Sequence, residues 1–296
     1  MGSEIGARRP ALMGVVNVTP DSFSDGGRFL DPERAIEHGV RLVGEGADVL
    51  DVGGESTRPG AAPVPVDEEL RRVLPVIEGL ARASRATLSI DTMKADVARA
   101  AVQAGARIVN DVSAGLADPA MLSTVAELAS VEPVHLVLMH RQGTPETMQA
   151  APRYDDVVRE VREHLGERVR AAEEAGVPED RITVDPGIGF GKRLDHNLAL
   201  LASLEGLRAL GRPVLLGASR KSFIGHLTGA EDPADWLAGE RRDVPSERIG
   251  GTAAVIALAA ERGAADVLRV HDVAIMKEAV LVARAIAAAG AGPGGS

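Results

Sequence analysis

The chain has no cysteine and few aromatic residues: Phe, Trp and Tyr together make up 2% of its 296 positions. Without cysteine there are no disulfides and no thiolate metal sites, and the seven histidines show no His-Glu-x-x-His spacing. With so few aromatic rings, the core must be packed from Val, Leu, Ile and Ala, and the lone Trp236 and lone Tyr154 are poor core candidates. Long apolar runs are missing too. No stretch of about 20 apolar residues is present, and Met1 to Pro10 lacks the apolar centre of a signal peptide, which points to a cytoplasmic protein with no membrane partner. Nor is there a basic balance: the formal charge is −10 and a pair such as Arg241-Arg242 is too short a run to matter, so a nucleic-acid partner is not expected.

What is present is a repeating pattern. With 45% hydrophobic and 26% charged residues the composition is that of a folded protein, and the length fits one (β/α)₈ barrel, which needs about 250 residues. Short, nearly continuous apolar runs predict buried parallel strands at Leu12 to Val16, Val49 to Val52, Thr87 to Ile90, Ile108 to Val109, Val134 to Met139, Ile182 to Val184, Val214 to Leu216 and Val267 to Val270. Between them, apolar residues recur three and four apart, as at Ile36, Val40 and Val43, or Leu70, Val73, Leu74 and Ile77. Asp31-Pro32 and Asp67-Glu68-Glu69 are expected helix starts; Gly46, Gly105, Gly176 and Gly263 are expected to close helices before a strand. The predicted fold is therefore α/β, a single (β/α)₈ TIM barrel over residues 11–286. Residues 1–10 and the Ala-, Gly- and Pro-rich 287–296 are expected to be disordered, and Ala230 to Ser246 to be a surface excursion.

In such a barrel every strand delivers its last residues to one mouth, where the chemistry sits. Here the endings are Asn17, the run Gly53 to Arg58, Asp91, Asn110-Asp111, His140, Asp185, Ser219-Arg220-Lys221 and Arg269-Val270-His271. The polar, glycine-rich loop from Asn17 to Gly27 reads as a mobile lid, and Gly53 to Pro59 combines amides and a guanidinium suited to an anion. Asp91, Asn110 and Asp185 are placed to face one another across the mouth, where a carboxylate can accept N–H bonds from a heterocycle. For Asp185 this is favoured over capping, because Pro186-Gly187 follows; for Asp91 a capped helix start after Thr92 is equally open. Gly187 to Lys192 is not a phosphate loop: a Walker motif would need glycine at Pro186 and a hydroxyl at Arg193, and a dinucleotide motif would need glycine at Lys192. It reads as a flexible loop presenting Phe190. Ser219 to Ser222 opens a helix whose amides and cation can receive an anion, and Arg269 and His271 alternate along the last strand.

Eight ordered blocks resemble the dihydropteroate synthase family: MGVVNVTPDSFSDGG from Met13, DVGGESTRPG from Asp51, SIDTMK from Ser89, IVNDVS from Ile108, LMHRQGTPETMQ from Leu138, DPGIGFGK from Asp185, GASRKSFIG from Gly217 and RVHDV from Arg269. The resemblance implies condensation of 6-hydroxymethyl-7,8-dihydropterin pyrophosphate with 4-aminobenzoate. It implies catalytic roles for Asp91, Lys221, Arg58 and Asn17, with Asn110, Asp185 and Lys221 on the pterin and Arg269 on its face. Thr57, Met139 and Gly217 would complete the substrate site. Asn17, Arg58 and His271 would hold the leaving pyrophosphate, with Asn17 also reaching a magnesium ion. Ser219, Phe190, Pro20 and Phe23 would surround the aminobenzoate. A homodimer through late helices and sulfonamide inhibition are further implications. The enlarged 230–246 loop and Arg141 depart from the family pattern. Two other readings stand: a methyltetrahydrofolate-dependent methyltransferase, which would not need the two anion-binding loops, and a paralogue that binds pterin without condensing it.

Overall fold

The computed structural model describes residues 9–19, 31–56, 61–144, 147–148, 151–229 and 248–290. Strands and helices alternate: β1 (Ala11–Asn17), α1 (Pro32–Glu45), β2 (Val49–Gly53), α2 (Val66–Ala83), β3 (Thr87–Asp91), α3 (Ala95–Gln103), β4 (Ile108–Asp111), α4 (Met121–Val131), β5 (His135–Met139), α5 (Val157–Glu174), β6 (Ile182–Asp185), α6 (Leu194–Ala202), β7 (Leu215–Leu216), α7 (Ser222–Gly229), α8 (Ile249–Glu261), β8 (Val267–Val270) and α9 (Val273–Gly290). All named strand pairings are parallel, in the order β6-β5-β4-β3-β2-β1-β8-β7. A parallel bridge between Val184 and Val214 joins the two ends, which closes the expected (β/α)₈ barrel.

Alternation along each strand divides its side chains between the helical shell and the barrel interior. Leu12, Val16, Leu50, Val52, Leu136, Leu138, Ile182 and Val184 face outward into one large core shared with the helices. A separate, small apolar cluster fills the inside: Met13, Val49, Val137 and Leu215, with Ile108 and Val267 packed against it. Two residues further along four of those strands stand Asp51, Asn110, Gly217 and Arg269. The apolar plug therefore ends one layer below the mouth, and the layer above it carries the polar Asp51, Asn110 and Arg269 beside the apolar Val15 and Met139. This change, dictated by sequence positions i and i+2, makes the upper barrel a site instead of a continued core.

Asp31 caps α1, its side chain accepting from the amides of Glu33 and Arg34, and Gly46 ends that helix at φ 112°. Elsewhere the pattern is shifted. The N-cap of α2 is Pro65, with no side-chain cap, and Asp67, Glu68 and Glu69 occupy the first turn, where acidic side chains favour the helix dipole. Val40 lies on the exposed side of α1, whose buried residues are Ala35, Gly39 and Leu42. The boundaries at the two ends also move. Arg9 forms paired 2.7 Å hydrogen bonds with Asp48, and Pro10 is buried, so these residues belong to the barrel floor. At the other end α9 continues to Gly290, in keeping with the high helix propensity of its alanines. The 230–246 excursion, with Trp236, lies outside the described residues.

Candidate active site

Strand register sets the strand endings side by side: Asn17 beside Gly53, Gly53 beside Asp91, Asp91 beside Asn110, and Met139 beside Asp185. Across this row Arg269 rises from β8. Its Nε donates to Asp51 Oδ2 at 2.6 Å and its Nη2 to Asp91 Oδ2 at 2.8 Å. Asn110 Nδ2 donates to the same Asp51 oxygen at 3.1 Å. Asp51, wholly buried, is thus the hub of this wall. Sequence reasoning passed over it, although an aspartate between Leu50 and Val52 in a buried strand was a signal. Burial raises the Asp91 carboxyl to about 7; Arg269 opposes this, and the carboxylates of Asp51, Glu69 and Asp111 add to it. Asp91 is not a helix cap. The N-cap of α3 is Lys94, whose amide bonds to Thr92 Oγ1 at 3.2 Å.

The opposite wall is built from β6 and β7. Asp185 Oδ1 accepts from the Gly187 amide at 2.7 Å, and no helix begins until Leu194, so it braces a turn and caps no helix. Its pKa is raised by burial, against the attraction of Lys221. Burial in turn lowers Lys221 to about 8, with Asp185 opposing. The Lys221 ammonium donates to the Ile188 carbonyl and stands 4.4 Å from the Phe190 ring centroid, a cation–π contact. Gly217 keeps the space between Asp185 and Arg269 free of a side chain: a Cβ there would lie 3.9 Å from each.

Ser219 and His271 tie the last two strand endings together: the His271 amide donates to Ser219 Oγ at 3.2 Å, and that hydroxyl is 3.0 Å from His271 Nδ1. Arg220, at φ 57°, is committed to Asp272, with Nε to Oδ2 at 2.9 Å, while Arg248 Nη1 donates to its carbonyl at 2.9 Å. Lys221 is therefore the cation of this segment that turns toward the mouth.

Of the predicted site residues, Pro20, Phe23, Thr57 and Arg58 lie outside the described residues. The root of the second loop is held firmly: Lys94 pairs with Glu55 and, at 2.5 Å, with the fully buried Glu69, and Arg72 Nη1 donates to the Gly54 carbonyl at 2.8 Å. Asn17 Oδ1 would lie 3.9 Å from a Cβ on Gly53, and Asp91 Oδ2 3.8 Å, so the amide oxygen and the carboxylate flank one spot. Arg141 Nη1 approaches Met93 Sδ at 3.0 Å, on the rim between β3 and β5.

A further cluster backs the site. Lys192, 3% exposed, directs Nζ at His140 Nδ1 (2.9 Å) and at the carbonyls of Gly187 and Phe190 (both 3.0 Å). The loop after β6 presses directly on the loop after β5. An added Cβ at Gly187 would strike the His140 carbonyl and one at Gly191 the Gln142 carbonyl, and both glycines have positive φ, so both need glycine. Tyr154, expected to be a poor core candidate, is half-buried at the edge of the core. Its hydroxyl donates to the Gly191 carbonyl at 2.9 Å, and its ring meets His196 edge-on at 4.9 Å. Burial lowers the pKa of His140 to about 2, and Lys192 and His164 add to this.

A closed (β/α)₈ barrel whose mouth sets buried acids and an amide against two half-buried cations defines a barrel enzyme for a polar heterocycle. The family described as pterin binding enzyme matches residues 13–271, and the chain belongs to it. Within that family the relatives are dihydropteroate synthases. The Mycobacterium leprae (strain TN) dihydropteroate synthase is 52% identical over 272 residues, covering 92% of this chain and 91% of the relative. Among solved structures, Xanthomonas albilineans dihydropteroate synthase with 4-aminobenzoic acid is 52% identical with a TM-score of 0.83, covering 94% of this chain and 93% of that one. The Yersinia pestis enzyme in a sulfonamide drug complex is 40% identical with a TM-score of 0.84, covering 95% of both chains.

Proposed function

We propose that this protein is a dihydropteroate synthase, joining 6-hydroxymethyl-7,8-dihydropterin pyrophosphate to 4-aminobenzoate with release of pyrophosphate. The observation that carries the reading is the buried pair of facing walls, Asp51–Arg269–Asp91 with Asn110 on one side and Asp185–Lys221 on the other. Because Asn110 spends its Nδ2 on Asp51, its Oδ1 is left to accept a ring N–H of the pterin. Asp185 takes the amino group and a ring N–H, and Lys221 donates to the ring carbonyl. Two carboxylates hold the Arg269 guanidinium in a fixed plane, which suits stacking on the pterin face.

The bond between the pterin methylene and the diphosphate oxygen breaks first, and positive charge develops on the pterin beside Asp91. Ionised Asp91 stabilises that charge. The amine of 4-aminobenzoate then attacks the methylene carbon, forming the new C–N bond and giving up one proton. No protein nucleophile takes part, so the rate gain comes from positioning and electrostatics. Asn17, Arg58 and His271 would hold the diphosphate, and Ser219, Phe190, Pro20 and Phe23 would border the aminobenzoate. Asn17 would offer a hard amide oxygen beside Asp91, the donor type suited to a magnesium ion. Magnesium, when bound, neutralises the leaving group.

No helix among the described residues is long and apolar enough to cross a membrane, and the cytoplasm is the proposed site of action. Leu258, Ile275, Leu281, Val282 and Ile286, exposed on α8 and α9, support a homodimer through those helices. The deciding experiment is pyrophosphate release from purified protein with magnesium, the pterin pyrophosphate and 4-aminobenzoate, each omitted in turn. Release that needs all three is expected. Tight pterin binding without release would overturn the reading.

A further inference from the structure

Lys192 makes no hydrogen bond to the side chains of the substrate walls, yet it is among the most deeply buried basic residues among those described. Three polar atoms surround its Nζ at 2.9 to 3.0 Å: His140 Nδ1 and the carbonyls of Gly187 and Phe190, to which the lysine nitrogen donates, while burial pulls its pKa well below the ordinary lysine value. The His140 carbonyl lies further off, at 3.4 Å. None of these is a carboxylate, so the group is held by geometry and not by a salt bridge. Two of the three belong to the loop after β6, on either side of its tip, and the third anchors that loop to the end of β5. The same loop is pinned at Gly191 by the Tyr154 hydroxyl (2.9 Å) and at Gly189, whose amide donates to Asn197 Oδ1 (2.7 Å). What the loop delivers to the mouth is the Ile188 carbonyl, which receives Lys221, and the Phe190 ring, which lies under the same ammonium.

We infer that Lys192 is a positioning residue that fixes the loop from Gly187 to Gly191, and so sets where Phe190 and Lys221 meet the amine substrate. The inference rests on the proposed synthase reading, in which Phe190 borders 4-aminobenzoate. Asp185 is the last residue of β6, in register with Met139 of β5, so the sheet fixes its backbone, and only its carboxylate meets the loop, at the Gly187 amide. Loss of the Lys192 contacts is therefore felt at the loop tip more than at the pterin wall.

The test is steady-state kinetics on the wild type, Lys192→Met, Phe190→Leu, the double variant and Tyr154→Phe. Methionine keeps an unbranched side chain of similar length without donors. For Lys192→Met the KM for 4-aminobenzoate is expected to rise about tenfold, while that for the pterin pyrophosphate stays within about threefold. The double variant is expected to match Phe190→Leu within about twofold, because both changes disrupt the one contact between the Phe190 ring and the Lys221 ammonium. Tyr154→Phe, which removes a single peripheral contact, is expected to raise the KM for 4-aminobenzoate about threefold and to leave the pterin KM unchanged. A rise shared equally by both substrates, or additive effects of Lys192→Met and Phe190→Leu, would overturn the inference. If Lys192→Met does not fold, Tyr154→Phe decides, and an unchanged KM for 4-aminobenzoate refutes the role. Absence of turnover in the wild type would instead refute the synthase reading.

Discussion

Asp51 on β2 and Arg269 on β8 meet at 2.6 Å inside the barrel, although 218 residues separate them in sequence. The carboxylate is wholly buried, and the same oxygen also receives Asn110. Removing one member of a buried ion pair leaves the other charge without compensation, at a cost of about 3 to 5 kcal/mol. Asp51→Ala is expected to lower the unfolding free energy by about that amount in a urea titration, and to abolish turnover by releasing Arg269. Asp51→Asn, which keeps an oxygen toward the guanidinium, should lose less, about 1 to 3 kcal/mol. Equal losses in the two variants would mean that charge is not what holds Arg269 in place.

That pair marks the limit of what the chain discloses before it folds. The strands are legible because each is a short apolar run closed by polar residues, and barrel topology delivers those closings to one mouth. Asp91, Asn110 and Asp185 were found this way, as strand ends. Asp51 is not at a strand end, and its partner lies on the last strand, so local pattern carries no trace of the contact. Lys192 was examined only as the end of a phosphate-loop motif it does not complete, because its three partners are two carbonyls and an imidazole, none of which has a sequence signature. Tyr154 lies outside the buried core, as its scarcity suggests, but the contact it makes is equally invisible in sequence. Its hydroxyl bond to the Gly191 backbone joins residues 37 apart and has no local signature.

The two titrating groups of the mouth predict the shape of the pH–rate curve. Asp91 must be ionised to stabilise positive charge, and it is raised to about 7; Lys221 must be protonated to donate, and it is lowered to about 8. The log of kcat/KM is expected to rise with pH through about 7, as Asp91 loses its proton, and to fall above about 8, as Lys221 does. The two values belong to an interacting set that includes Arg269. Asp91→Asn should remove the acidic limb along with most of the activity. A curve flat from about pH 6 to 9 would contradict both assignments.

His140 makes a separate prediction about stability. Its folded pKa is lowered to about 2, so as pH falls below the ordinary value of about 6.5 the unfolded chain takes up a proton that the folded one refuses. Its contribution to stability is intact above about 6.5 and is lost progressively as the solution is acidified. Asp91, Asp111 and Asp185 are raised and act with the opposite sign, which masks the effect in the wild type alone. The difference between wild type and His140→Gln isolates it. That difference should shift in favour of the variant by about 1.4 kcal/mol per pH unit below about 6.5. In nuclear magnetic resonance spectra the His140 ring signals should stay at their neutral positions down to about pH 4.

Lys94 holds Glu55 and Glu69, and Glu69 is fully buried on α2. Lys94→Ala strands that carboxylate and is expected to cost about 3 to 5 kcal/mol in the same urea titration. Adding Glu69→Gln should restore a large part of the loss, since a neutral amide is cheaper to bury unpaired than a carboxylate. Because Glu55 anchors the root of the loop that leads to Arg58, the double variant should regain stability while its KM for the pterin pyrophosphate stays raised. Recovery of both together would show that the lysine supports the fold alone.

The Phe190–Lys221 contact bears on inhibition. A sulfonamide shares with 4-aminobenzoate a flat aminophenyl ring and an acidic group on the opposite end, so it can lie against the same ring and under the same ammonium. Sulfonamides are expected to be competitive with 4-aminobenzoate, raising its apparent KM without lowering kcat, and not competitive with the pterin pyrophosphate. Phe190→Leu keeps an apolar wall but removes the aromatic face, and it should weaken sulfonamide and substrate by similar factors, each about three- to tenfold. Similar factors are the decisive point, because the two molecules then share the ring contact. A variant that lost the drug but kept the substrate would mean that the sulfonamide reaches beyond Phe190 to a part of the mouth that the substrate does not touch.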